Sequence, residues 1–188
     1  KVVDEGWKAV SCLKFKSKLE LFRTLIFLSG FFYENTSVIF KQSKKLLKLE
    51  IMSIVPITLC GDKILRKKAS KVSEIDDSIV GIITDMFETM RNANGVGLAA
   101  NQIGLNKQIF VVDISPIEGY ENYKPVAMIN PTIISKSDET SSVEEGCLSI
   151  PELRAEVIRP KGINISFFDV NMKEHSIEAD ALFARVIQ

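Results

Sequence analysis

Apolar residues recur at helical spacing through Ile79, Ile82, Ile83, Met86, Phe87 and Met90. Steps of three and four place them on one face, which predicts an amphipathic helix over about 76–92. Asp76-Asp77-Ser78 supplies its start, with carboxylates at the positive end of the helix dipole. Asn92, Asn94 and Gly95 supply its stop. Residues 108–114, rich in Ile, Val and Phe, predict a buried strand. Residues 126–134 predict another, with Pro131 placing it near an edge or bulge. Alternation over 162–170 turns Ile163, Ile165 and Phe167 inward and Asn164 and Ser166 outward. Asn171-Met172-Lys173 predicts a hairpin turn, with the chain returning through His175 to Glu178. The pairs Leu182/Val186 and Phe183/Ile187, each four apart, predict the first turns of a helix over 179–188. Helix, several strands, then helix favours an α+β domain with a mixed or antiparallel sheet.

Charge divides the chain. Its 188 residues carry a net charge of zero, yet residues 1–51 hold ten basic and five acidic residues, and the remainder 14 and 19. That asymmetry predicts an appended segment ahead of one domain. The first methionine is Met52, so the natural protein is expected to begin there. Residues 1–51 then read as upstream translation or, alternatively, as a cleaved presequence. Their acidic residues Asp4, Glu5 and Glu20 fit a presequence poorly. The basic run over 41–48 reads as a solvated face. The apolar run over 25–33 is far shorter than the ~20 residues a membrane span needs. The acidic remainder gives no reason to expect nucleic-acid binding. Three scattered cysteines, Cys12, Cys60 and Cys147, argue against a disulfide framework and for a reducing compartment.

Two segments carry candidate chemistry. Gly95-Val96-Gly97-Leu98-Ala99-Ala100-Asn101-Gln102 holds two glycines that permit close approach of a partner backbone. It follows a helix rather than a strand, so it fails the context test for a dinucleotide fingerprint. A tight loop is the plain alternative. In Glu144-Glu145-Gly146-Cys147-Leu148-Ser149-Ile150-Pro151, glycine and a small polar residue leave Cys147 accessible as a metal ligand or nucleophile. A nucleophilic cysteine needs a base, and the one histidine of the chain is His175. His175 and Glu178 sit three apart on a strand, hence on opposite faces. That spacing argues against a shared metal and for a solvated hairpin histidine.

Together these segments resemble the peptide deformylases. That family carries Gly-x-Gly-x-Ala-Ala-x-Gln, matched at 95–102, then Glu-Gly-Cys-x-Ser, matched at 145–149, then Gln-His-Glu-x-Asp-His. Of the third motif only Gln188 is present, so the chain is expected to stop short of it. The resemblance covers about 52–188. It implies an α+β fold with mixed or antiparallel sheets around a C-terminal metal-binding helix, mostly missing here. It implies removal of the formyl group from the N-terminal formyl-methionine of new polypeptides. Cys147 would be one ligand of Fe²⁺, with Zn²⁺, Ni²⁺ or Co²⁺ as substitutes. Gln102 and the backbone N–H of Leu148 would stabilise the oxyanion. Val96, Gly97 and Gly146 would line the peptide groove. Val96, Val143, Glu145, Leu182 and Val186 would border the pocket for the methionine side chain, and Arg154 would contact the peptide further along. The implied partners are formyl-methionyl nascent peptides, met near the ribosome exit, with no membrane and no nucleic-acid site; the implied location is the bacterial cytoplasm. The 188 residues alone are expected to be inactive. Two rivals remain: a non-catalytic peptide binder of the same fold, and a hydrolase using Cys147 with His175.

Overall fold

The computed structural model describes residues 53–188, and the readings for residues 1–51 and for the start at Met52 lie outside the described residues. Met52–Gln188 forms one compact unit. Helix α1 (Asp77–Asn92) begins as its sequence predicts, with the Asp76 carboxylate accepting the Ile79 N–H. It ends where Asn94 turns left-handed at φ 53°, and the Gly95 N–H returns to the Met90 carbonyl. Then come β1 (Gly97–Ala99), a 3-10 turn (Ala100–Ile103) and β2 (Ile109–Val112). They are followed by β3 (Val126–Lys136), β4 (Thr140–Cys147), β5 (Ile150–Pro160), β6 (Gly162–Phe168) and β7 (Glu174–Asp180). The short helix α2 (Ala181–Ile187) closes the order.

Two sheets result, one of five strands in the order β1-β2-β3-β6-β7 and one of two, β4-β5. Every pairing between these strands is antiparallel, and the fold class is α+β as expected. The continuous apolar run of β2 has a direct cause: both its faces are covered. Ile109 and Val111 join α1 residues Ile79, Ile83, Met86 and Met90 in one cluster. Val112 joins Ile165, Phe167, Phe183 and Ala184 in the other. Adjacent Ile129 and Met128 of β3 divide between the clusters in the same way, as a period of two requires.

Pro131 marks a bulge, as predicted: the β3–β6 register shifts between Ile129 and Thr132. There Asn130 adopts φ 51°, and its side chain holds both the N–H and the carbonyl of Val72. The alternation over β6 places Ile163, Ile165 and Phe167 in the core, with Met172 at φ 57° in the predicted turn. One boundary and one hairpin depart most from expectation. Ala179 and Asp180 extend β7 instead of starting the helix, because Gly162 and Ile163 pair with them. Residues 140–160, for which the sequence reading set no elements, form the β4–β5 hairpin. No described helix is long and apolar enough to cross a membrane.

Candidate active site

The two motif segments meet. Gln102 lies on the 3-10 turn after β1, and its Oε1 accepts the Ala99 N–H at 2.9 Å. That bond fixes the amide orientation, so Nε2 faces the other motif: it donates to Ser149 Oγ at 3.1 Å and lies 3.8 Å from Cys147 Sγ. Cys147 ends β4, Leu148 and Ser149 make the turn, and Ile150 starts β5. The Leu148 N–H therefore belongs to the same turn as the thiol. Behind this turn the segment over 58–60 ties both motifs together. The Thr58 N–H donates to the Gln102 carbonyl and the Cys60 N–H to the Ser149 carbonyl, each at 2.7 Å.

Side chains come nearest to two of the motif glycines. A Cβ on Gly97 would lie 2.7 Å from Val186 Cγ1, and one on Gly95 would lie 2.7 Å from Leu148 Cδ1. Glycine at these positions lets α2 seat on β1 and lets the cysteine turn seat on the end of α1. Gly146 is roomier: a Cβ there would come no closer than 3.8 Å, to Arg154 Cγ. Arg154 thus lies across from Gly146 in register, exposed on β5.

Beside Cys147 is a pocket of about 140 Å³ lined by Glu145, Gly146, Cys147, Ile150, Leu153, Ala155 and Val157. The last four were not anticipated. Their signal was present: Leu153, Ala155 and Val157 alternate with charged Arg154 and Glu156, which is a strand pattern. The other residues expected at a methionine pocket separate into two groups. Val96, Leu182 and Val186 pack against the cluster containing Phe183 and Ala184. Val143 is on the hairpin, 46% exposed, opposite Val157.

Glu145 is held firmly. Arg159 Nε and Nη2 donate to its two oxygens at 2.7 and 2.8 Å, and Arg185 Nη1 donates to Oε1 at 2.7 Å. The hydrogen bond from Arg159 outweighs partial burial and holds this carboxyl below its ordinary value, with Arg185 adding to the effect.

The structure leaves His175 elsewhere. Its Nε2 lies 2.8 Å from Asp169 Oδ2 and its ring stacks on Phe167. It is therefore a paired, half-buried hairpin residue, not a merely solvated one, because the inward positions of β7 include it. Glu178 turns outward, on the opposite face as expected.

Among the described residues no three His, Cys, Asp or Glu side chains are grouped to hold a metal ion. Cys147 is a candidate ligand accompanied by an amide and a hydroxyl. The described residues therefore do not fit a complete metal site by themselves.

Comparison with known proteins agrees with the motif geometry. The family model for polypeptide deformylase matches residues 54–188. A peptide deformylase of Prosthecochloris aestuarii is 46% identical over 135 residues, covering 72% of each chain. One from Wolbachia pipientis wMel is 45% identical over 143 residues, covering 73% of this chain and 80% of its own. The crystal structure of the Thermotoga maritima peptide deformylase matches with TM-score 0.67 and 38% identity, over 72% of this chain and 88% of that one. The Synechococcus elongatus peptide deformylase, solved in complex with actinonin, gives TM-score 0.66 and 39% identity, over 71% and 70%. With a family match that spans residues 54–188 and so nearly all of the described residues, the chain belongs to the polypeptide deformylase family.

Proposed function

We propose that residues 52–188 bind the N-terminal formyl-methionine of new polypeptides and present its formyl group for hydrolysis to formate and a free amine. The observation that carries this is the Gln102 amide. Its oxygen is engaged by Ala99, so its N–H₂ is aimed into the space beside Cys147. A donor fixed in advance is what a developing oxyanion requires, since no reorganisation is needed as charge appears. The Leu148 N–H is the second donor. The apolar pocket walled by Ile150, Leu153, Ala155 and Val157 suits an unbranched thioether side chain, with Glu145 neutralised at its edge. The groove runs past Val96, Gly97 and Gly146, with Arg154 beyond. Val143, Leu182 and Val186 complete the apolar surroundings.

Deformylases are metal-dependent, and Cys147 is the residue here suited to Fe²⁺ or to Zn²⁺, Ni²⁺ or Co²⁺ in its place. One thiolate does not make a three-ligand site. Binding and orientation are the steps that the described residues supply, and the 188-residue chain by itself is inactive. We place the protein in the bacterial cytoplasm, meeting nascent chains near the ribosome exit.

The test of function is binding. A formyl-Met tripeptide is titrated into the 188-residue chain beside its unformylated twin, with formate release followed in parallel. Preference for the formylated peptide without formate is the expected result. Equal affinity for both would refute the oxyanion-donor role, and formate release would refute inactivity. The nucleophilic-cysteine reading lacks support, because His175 contacts Asp169 and Phe167 while the described partner of the Cys147 thiol is Gln102.

A further inference from the structure

We infer that Arg185 docks the cysteine-bearing hairpin onto α2, and is thereby a positioning residue for the Gln102–Cys147 pair. Strands β4 and β5 hydrogen-bond to each other and not to the five-stranded sheet. A lone two-stranded hairpin is marginal in water, so its order depends on what attaches it. Arg185 is 9% exposed and spans both strands. Nη1 donates to Glu145 Oε1 at 2.7 Å and to the Val157 carbonyl at 3.0 Å. Nη2 donates to the Ser141 carbonyl and to Ser141 Oγ, each at 2.8 Å. A planar guanidinium suits this geometry because its donors fork in fixed directions.

Neutralising Glu145 does not explain the arrangement. Arg159 already grips both carboxylate oxygens from within the hairpin. What Arg185 adds is a link between elements: two backbone carbonyls, one on each strand, and a hydroxyl, all reached from α2. The next residue, Val186, is the one that sits against Gly97 of β1. Consecutive residues of α2 therefore hold the two motif segments, one by charge-assisted hydrogen bonds and one by packing. The hairpin tip has its own tethers at Ser149, from Gln102 and from Cys60, and Gln188 Nε2 holds the Pro160 carbonyl at the far end. Arg185 secures the stretch between.

The docking stands on geometry alone; its consequence for deformylation rests on the function proposed above. Hydrogen–deuterium exchange on the 188-residue chain tests it without substrate, so failure of either idea can be told apart. In Arg185→Met, amides of 140–147 and 150–160 should exchange ~10- to 100-fold faster, the range for losing hydrogen bonds to a charged group. Amides of 162–168 should keep the parent rate. Arg185→Lys, which keeps the charge and carries the test if the Met variant does not fold, should also loosen the hairpin. A single ammonium lacks the fixed fork that holds acceptors on both strands at once. Arg159→Met should loosen it less than Arg185→Lys. Unchanged hairpin exchange in Arg185→Met would overturn the inference. So would equal acceleration of 162–168, full rescue by lysine, or an equal effect of Arg159→Met.

Discussion

Gly97→Ala tests the seating of α2 on β1. The new Cβ would lie 2.7 Å from Val186 Cγ1 but 3.7 Å from the Val111 carbonyl, so the strain falls on one methyl group. Carbon atoms prefer about 3.5–4.0 Å, so Val186 must rotate or α2 must move by roughly 1 Å. Overpacking of this kind costs about 1–3 kcal/mol. The backbone at Gly97 is not left-handed, so alanine also restricts the unfolded chain, which returns about 0.4–1 kcal/mol. The net expectation is a loss of about 1–2 kcal/mol. Val186→Ala alone should cost about 1–1.5 kcal/mol for its two partly buried methyls. The double variant is decisive: with the offending methyl gone, Gly97→Ala should become neutral or favourable. The cycle would then show a coupling of at least about 1 kcal/mol. Urea denaturation followed by circular dichroism measures all four proteins, with the slope compared to confirm a common transition. Additivity within about 0.5 kcal/mol would refute the contact as the reason for glycine here.

Gln102→Ala should weaken formyl-peptide binding by about fivefold, near 1 kcal/mol for a neutral hydrogen bond, and leave binding of the unformylated peptide unchanged; titration of both peptides checks it. Asp113 is buried, which pushes its pKa up, but bonds from Ser115 and Arg91 outweigh this and hold it below the ordinary value. Its contribution to stability is thus complete above about pH 4, the ordinary aspartate range, and is lost as pH falls through the depressed folded value. Asp113→Asn should flatten that part of the acid-unfolding curve, and an unchanged slope would count against the pairing. Ala181 enters α2 at φ 46°, a conformation costing about 1–2 kcal/mol for a residue with a Cβ. Ala181→Gly should therefore stabilise by about 0.5–1 kcal/mol after the extra entropy of glycine is subtracted, read as a raised midpoint in urea. His175→Ala should lower stability by about 1 kcal/mol through its lost pair with Asp169 and leave formyl-peptide affinity as it was; loss of that affinity would revive the Cys147–His175 reading.

What the sequence disclosed depended on whether a segment's neighbours are local. Helix α1 was legible because Asp76 caps it and its own period buries it. The β6–β7 hairpin was legible because alternation and turn lie within one stretch. Gln102 and Cys147 were legible as motifs, but nothing in either segment says that the amide faces the thiol. That orientation comes from the Ala99 N–H, a partner three residues away whose role appears only once β1 has formed. The β4–β5 hairpin was missed for a related reason. The sequence reading set no element over Glu144 and Glu145, and Glu145 faces two guanidiniums, one 14 residues further along the chain and one 40. A charge pattern read along the chain cannot register partners at such distance, and so a docked strand resembles a loop. The same logic locates function in this fold. The residues named from sequence are those proposed to meet a substrate, each carrying its chemistry in its own side chain or backbone. Arg185, which was not named, has no chemistry to announce. Its importance comes from reaching two strands at once, a property of packing that exists only in three dimensions.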